Sequence, residues 1–74
     1  MTTDRPRKRS LRLQGHLTSV SLEDAFWAEF QRLAAERGLS VNALASALDQ
    51  RRTPPESLAS AIRLFVLSEV KAGH

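Results

Sequence analysis

The sequence predicts a mainly α-helical domain that opens with one short strand. Three observations carry that expectation. Between Thr18 and Leu44 the apolar period changes from two to about 3.6. Glycine and proline divide the rest of the chain into helical stretches, and the positive charge gathers ahead of the strand. Thr18, Val20 and Leu22 alternate with Ser19 and Ser21, the pattern of a half-buried strand at about residues 17–22. A lone strand leaves its backbone polar groups in need of a partner. The expectation is that this partner lies in another chain.

Residues 1–9 are polar, basic and interrupted by Pro6, with nothing to bury, and read as a disordered arm. The folded domain then spans residues 10–72. From Ser10 to Gln14, Leu11 and Leu13 alternate with polar neighbours before Gly15 interrupts the run. That segment is either a strand of its own or an extension of the next.

A first helix is expected from about Glu23 to Arg37. Phe26, Phe30 and Leu33 mark its buried face, supported by Trp27 and Ala34. Ser21 to Asp24 also matches a capping box, which competes with Ser21 as the last outward residue of the strand. Gly38 supplies the left-handed position that ends the helix. Ser40 caps a second helix running to about Arg51, with Leu39 and Leu44 as a staple and Val41, Leu44, Ala47 and Leu48 as its buried stripe. Thr53-Pro54-Pro55-Glu56 fits the start of a third helix, with Ser57 as the rival cap. Its segment Ala61 to Leu67 is polar only at Arg63, so it needs cover on more than one side.

Seventy-four residues make one domain near the lower size limit for a comfortable monomer. With no cysteine, neither disulfides nor a thiolate metal site can staple it, which leaves oligomerisation. No apolar run is long enough to span a membrane, and no apolar segment succeeds the basic N-terminus as in a secretory signal. The expectation is a soluble, cytoplasmic protein. The net charge of +3 is unevenly placed. Arg5, Arg7, Lys8, Arg9 and Arg12 face only Asp4, about +4 over the first twelve residues, while the rest of the chain is nearly neutral. Such an arm reads either as a phosphate-binding segment or as a solvated tail.

In order and spacing, these features resemble the ribbon-helix-helix superfamily of the MetJ, Arc and CopG repressors. Gly15 to Trp27 is similar to small bacterial single-domain members, and Leu58 to Leu67 to their extra C-terminal helix. The resemblance implies an intertwined homodimer in which each chain gives one strand to an intermolecular two-stranded antiparallel ribbon. It implies that the ribbon enters the major groove of double-stranded DNA. Leu17, Ser19 and Ser21 are then the base-contacting residues. Phosphate contacts fall to Ser40, Val41 and Asn42 at the second helix N-terminus, and to Arg5, Arg7, Lys8, Arg9 and Arg12. One departure stands out: members of the superfamily often read bases with Arg, Lys, Asn or Gln, and Leu17 with two serines discriminates weakly. The basic arm, or the neighbouring Arg12 and His16, is placed to add what is missing.

His16 and His74 have no cysteine or clustered carboxylate near them in sequence, so neither marks a metal site. No cofactor is expected. Trp27 reads as core or dimer interface. The serines lack a His–Asp relay, and no glycine-rich phosphate loop is present, so the chain is not expected to be an enzyme. The reading is a DNA-binding homodimer acting as a transcriptional regulator, such as a repressor. Two alternatives stand beside it: the antitoxin of a toxin–antitoxin pair, with a toxin as partner, and a protein-interaction dimer without a DNA function.

Overall fold

The computed structural model describes residues 5–73. Two strands, β1 (Arg7–Leu13) and β2 (His16–Leu22), precede three helices, α1 (Asp24–Glu36), α2 (Val41–Arg51) and α3 (Leu58–Lys71). The strands form one two-stranded antiparallel sheet, paired from Arg7↔Leu22 to Leu13↔His16. Gln14 and Gly15 connect them, both with positive φ (51° and 83°). A two-residue loop of that kind matches the right-handed twist of its strands.

This pairing corrects the expectation of a strand without a partner in its own chain. The segment left open between two readings is a strand of its own, and it begins three residues earlier, at Arg7. Arg7, Lys8 and Arg9 therefore belong to the sheet. Residues 1–4 of the expected arm lie outside the described residues.

Alternation sorts the sheet into two faces. Leu11, Leu13, Val20 and Leu22 are buried against the helices. They meet Phe30, Leu33 and Ala34 of α1, Leu44 and Ala45 of α2, and Ile62 and Val66 of α3 in one core. Phe30 packs edge-on to Phe65, with ring centroids 6.3 Å apart. Along α2 the buried residue is Ala45 and not the expected Ala47, which is exposed. Val41, Leu44, Ala45 and Leu48 share one face, and Ala47 lies about 110° from its centre at 100° per residue.

The helix ends reflect local chemistry. Gly38 (φ 68°) and Leu39 close α1, their N–H groups donating to Ala35 O at 3.0 Å and Ala34 O at 2.9 Å. Ser40 Oγ accepts from Ala43 N–H, and Ser57 Oγ from Ser60 N–H, so Ser57 is the cap of α3. Leu39, expected to staple onto Leu44, is 41% exposed. The capping box at Ser21 does not form. Ser21 continues β2 outward, and the cap position of α1 is Glu23, which makes no side-chain cap bond. Among the described residues no helix is long and apolar enough to cross a membrane.

Candidate nucleic-acid interface

The face of the hairpin turned away from the helices is open. By register it presents three cross-strand pairs: Lys8 opposite Ser21, Ser10 opposite Ser19, and Arg12 opposite Leu17. All six are exposed, and Leu17 is 71% accessible. The expected residues Leu17, Ser19 and Ser21 thus lie side by side. β1 adds two cations and a third serine to them. Directly opposite residues stand about 5 Å apart, so each cation reaches over a neutral partner on β2.

Sequence reasoning placed Lys8 in the arm and left Ser10 without a role. The signal was present: Leu11 and Leu13 match Val20 and Leu22 across a two-residue, glycine-containing link. Pairing these runs puts Lys8, Ser10 and Arg12 on the same face as the β2 serines.

The remaining cations are distributed differently. Arg9 points inward, with its side chain only 15% accessible. It donates to Leu22 O at 3.1 Å and to the Asp24 carboxylate, and its guanidinium lies 5.4 Å from the centre of the Trp27 ring. Trp27 also packs on Phe30, with centroids 6.4 Å apart. Arg9 is therefore a clasp between β1 and α1, set away from the open face. Arg7 is exposed and 3.6 Å from Asp24. Hydrogen bonding from Arg9, aided by the charges of Arg7 and Arg9, holds the Asp24 carboxyl below its ordinary range. Arg5 is exposed just ahead of β1.

The N-terminus of α2 sits beside the free edge of β1. Opposed residues in an antiparallel pair alternate between exchanging hydrogen bonds and pointing them outward. The outward N–H of Arg12 donates to Asn42 Oδ1 at 3.0 Å. Ser40 Oγ already occupies the Ala43 N–H, which leaves Val41 and Asn42 as the first-turn donors without an intrahelical acceptor. The helix end expected to hold phosphate is thereby registered to the strand that carries Arg12.

A second clasp closes the other edge. Arg63 of α3 donates to Glu23 Oε1 and to Ser21 O, both at 3.0 Å. The hydrogen bond from Arg63 lowers the Glu23 carboxyl from its ordinary value. His16 lies at the loop end of the sheet, in a hollow with Thr18, Asp49 and Arg52. Among the described residues no group of three or more His, Asp or Glu is placed to hold a metal ion.

The ribbon-helix-helix domain family matches residues 6–70 of the chain. No curated protein and no solved structure matches it.

Proposed function

Because the chain belongs to the ribbon-helix-helix family, we propose that it binds double-stranded DNA through the open face of its hairpin, as a transcriptional regulator. Proteins of this family are non-catalytic DNA-binding regulators, and the chain is not an enzyme. Membership supports DNA binding in general. The observation that carries the finer reading is the placement of Lys8, Ser10 and Arg12 beside Leu17, Ser19 and Ser21 on one exposed face.

A two-stranded ribbon fits the major groove. Arg12 is suited to a guanine edge, Leu17 to a thymine methyl, and the three serines to donors or acceptors on either base. Arg5, Arg7 and Lys8 at the open end of the hairpin, with the first turn of α2 at its side, are placed for phosphates. Arg9 drops out of that set because its guanidinium already serves Asp24 and Leu22. The two cations on β1 answer the weakness of a ribbon made of Leu17 and serines alone. The ribbon in this reading is the hairpin of one chain, and a homodimer presents two of them.

Selection of bound sequences from random duplex DNA tests the proposal. An enriched motif whose enrichment disappears with Arg12→Ala supports it. Enrichment of nothing, with no salt-dependent affinity for any duplex, overturns it and favours a protein-interaction dimer.

A further inference from the structure

Arg63 is the one polar residue in the run from Ala61 to Leu67. Its side chain leaves α3 for the junction between β2 and α1, 40 and 42 residues away in sequence. There it donates from Nε to Glu23 Oε1 and from a terminal nitrogen to Ser21 O, both at 3.0 Å. Arg9 makes the matching contacts from β1, donating to Leu22 O at 3.1 Å and to the Asp24 carboxylate. Each arginine thus ties a backbone carbonyl to the carboxylate two residues further on. Residues 21–24 are held between the two. A planar guanidinium with donors in a fixed fork suits such a double contact.

We propose that Arg63 is a positioning residue for the DNA-reading face. Through Ser21 O it makes α3 hold the open end of the hairpin, and so sets the discrimination exerted from Lys8 and Ser21. The consequence for DNA rests on the function proposed above. Ser21 presents its side chain on the open face opposite Lys8 and its carbonyl at the edge of β2. Both groups leave one residue, so a bond that fixes the carbonyl restrains rotation of the strand about its axis. It thereby fixes where the Ser21 side chain points. Two-stranded ribbons twist over a wider range than larger sheets, and this one is restrained at two diagonal corners. Asn42 of α2 accepts the Arg12 N–H toward the loop end of β1, and Arg63 of α3 donates to the Ser21 carbonyl at the open end of β2. Contacting groups must be held to within about 0.5 Å of their productive geometry. Freeing one corner leaves the other in place, so the loss falls on one end of the reading face.

Arg63→Met keeps an apolar stem and removes the donors, and Arg37→Ala is the control. Arg37 also reaches α3, but its hydrogen bonds go to Leu33 O and the Glu69 carboxylate, away from the sheet. Amide hydrogen exchange of the full chain without DNA tests the positioning. Because the Arg12 N–H points outward, the amides bonded across the sheet include Arg9, Val20 and Leu22 at the open end and Leu11 and Thr18 toward the loop. In Arg63→Met, exchange at Arg9, Val20 and Leu22 is expected to quicken about tenfold relative to Leu11 and Thr18, as for one lost charge-assisted hydrogen bond. In Arg37→Ala the two groups are expected to change together. A uniform change in Arg63→Met reports general stability alone and overturns the inference. Binding tests the consequence. Each base-pair substitution in a selected motif is expected to cost the parent roughly 5- to 150-fold. Positions where Ser21→Ala lowers that penalty mark the Lys8–Ser21 end. There Arg63→Met is expected to lower it below about threefold, leaving affinity for a scrambled duplex and the positions marked by Arg12→Ala within about twofold of the parent. Penalties unchanged at the Ser21 positions, or reduced alike everywhere, overturn the inference. A parent that selects no motif refutes the DNA-binding proposal and the claim on discrimination with it, and hydrogen exchange alone then decides whether Arg63 positions the strand. Should Arg63→Met fail to fold, Arg63→Lys decides. One ammonium does not span two acceptors as a guanidinium fork does, so a smaller loss at the same amides and base pairs is expected, and no loss at either overturns the inference.

Discussion

Asn42 and Arg12 join the two halves of the candidate interface through one hydrogen bond. Its acceptor is the Asn42 side-chain carbonyl, so Asn42→Asp keeps an acceptor while adding a negative charge at the helix N-terminus. The hairpin is expected to remain in place, and the added charge to repel a phosphate held there. Affinity for all duplexes should fall alike, by about two- to fivefold per protomer, the range for a charge at a helix end. Fluorescence anisotropy on matched and mismatched duplexes measures it. A loss confined to one sequence would make Asn42 a base reader instead. Asn42→Ala removes the acceptor without adding charge and leaves the Arg12 N–H to solvent. It is expected to cost about 1 kcal/mol of stability, as for one hydrogen bond.

At the scale of elements, the hairpin hinges on Gly15. Its φ of 83° disfavours any other L-residue, and a Cβ placed there meets nothing within 4 Å. Gly15→Ala therefore has no clash to relieve, and its cost is the left-handed backbone alone, about 1–2 kcal/mol. The urea midpoint should fall with the slope unchanged. The same joint responds to acid. Glu23 and Asp24 lie where β2 passes into α1, and hydrogen bonds from Arg63 and Arg9 depress their folded-state pKa values. Groups depressed on folding stabilise the protein above their unfolded values, ordinarily 4.5 and 3.8. That contribution is lost as pH falls through the lower folded values. Thermal midpoints should therefore drop on acidification below about pH 4.5, and drop less in Asp24→Asn than in the parent.

Two helix ends were legible from local signals, since Gly38 stops α1 and Ser40 starts α2. The start of α3 was not fixed by them, because Thr53-Pro54-Pro55-Glu56 also fits a helix start and only the structure selects its rival Ser57. The outward faces of Ser19 and Ser21 were legible from alternation alone. β1 was hidden by its composition. Arg7, Lys8 and Arg9 look like a solvated arm until the partner strand gives them a register. Arg9 shows why charge counting misleads, since its guanidinium is held inward by contacts 13 and 15 residues away in sequence. The link between Arg12 and Asn42 spans 30 residues and has no local signature.

For the whole molecule, the placement of β1 changes what removal of the N-terminus tests. Deleting residues 1–9 would take Arg7, Lys8 and Arg9 out of the sheet, unpair Leu22, Ser21 and Val20, and release the clasp on Asp24. A loss of DNA binding would then report a damaged fold. Deleting residues 1–6 ends just before β1 and removes Arg5 as its only Lys or Arg. If Arg5 neutralises one phosphate, the slope of log affinity against log salt should shrink by about 0.9 in magnitude per chain. Affinity at low salt should fall, and the stability of the folded chain should not change. Arg12→Ala in the full chain is expected to shrink the slope only if Arg12 also neutralises a phosphate. As a base reader it should instead lower affinity for the selected sequence far more than for others. Titrating one selected and one scrambled duplex across several salt concentrations separates these cases. Equal slopes for the parent and the shortened chain would assign the N-terminal segment to solvation, and the phosphate contacts would then fall to Arg7, Lys8 and the first turn of α2.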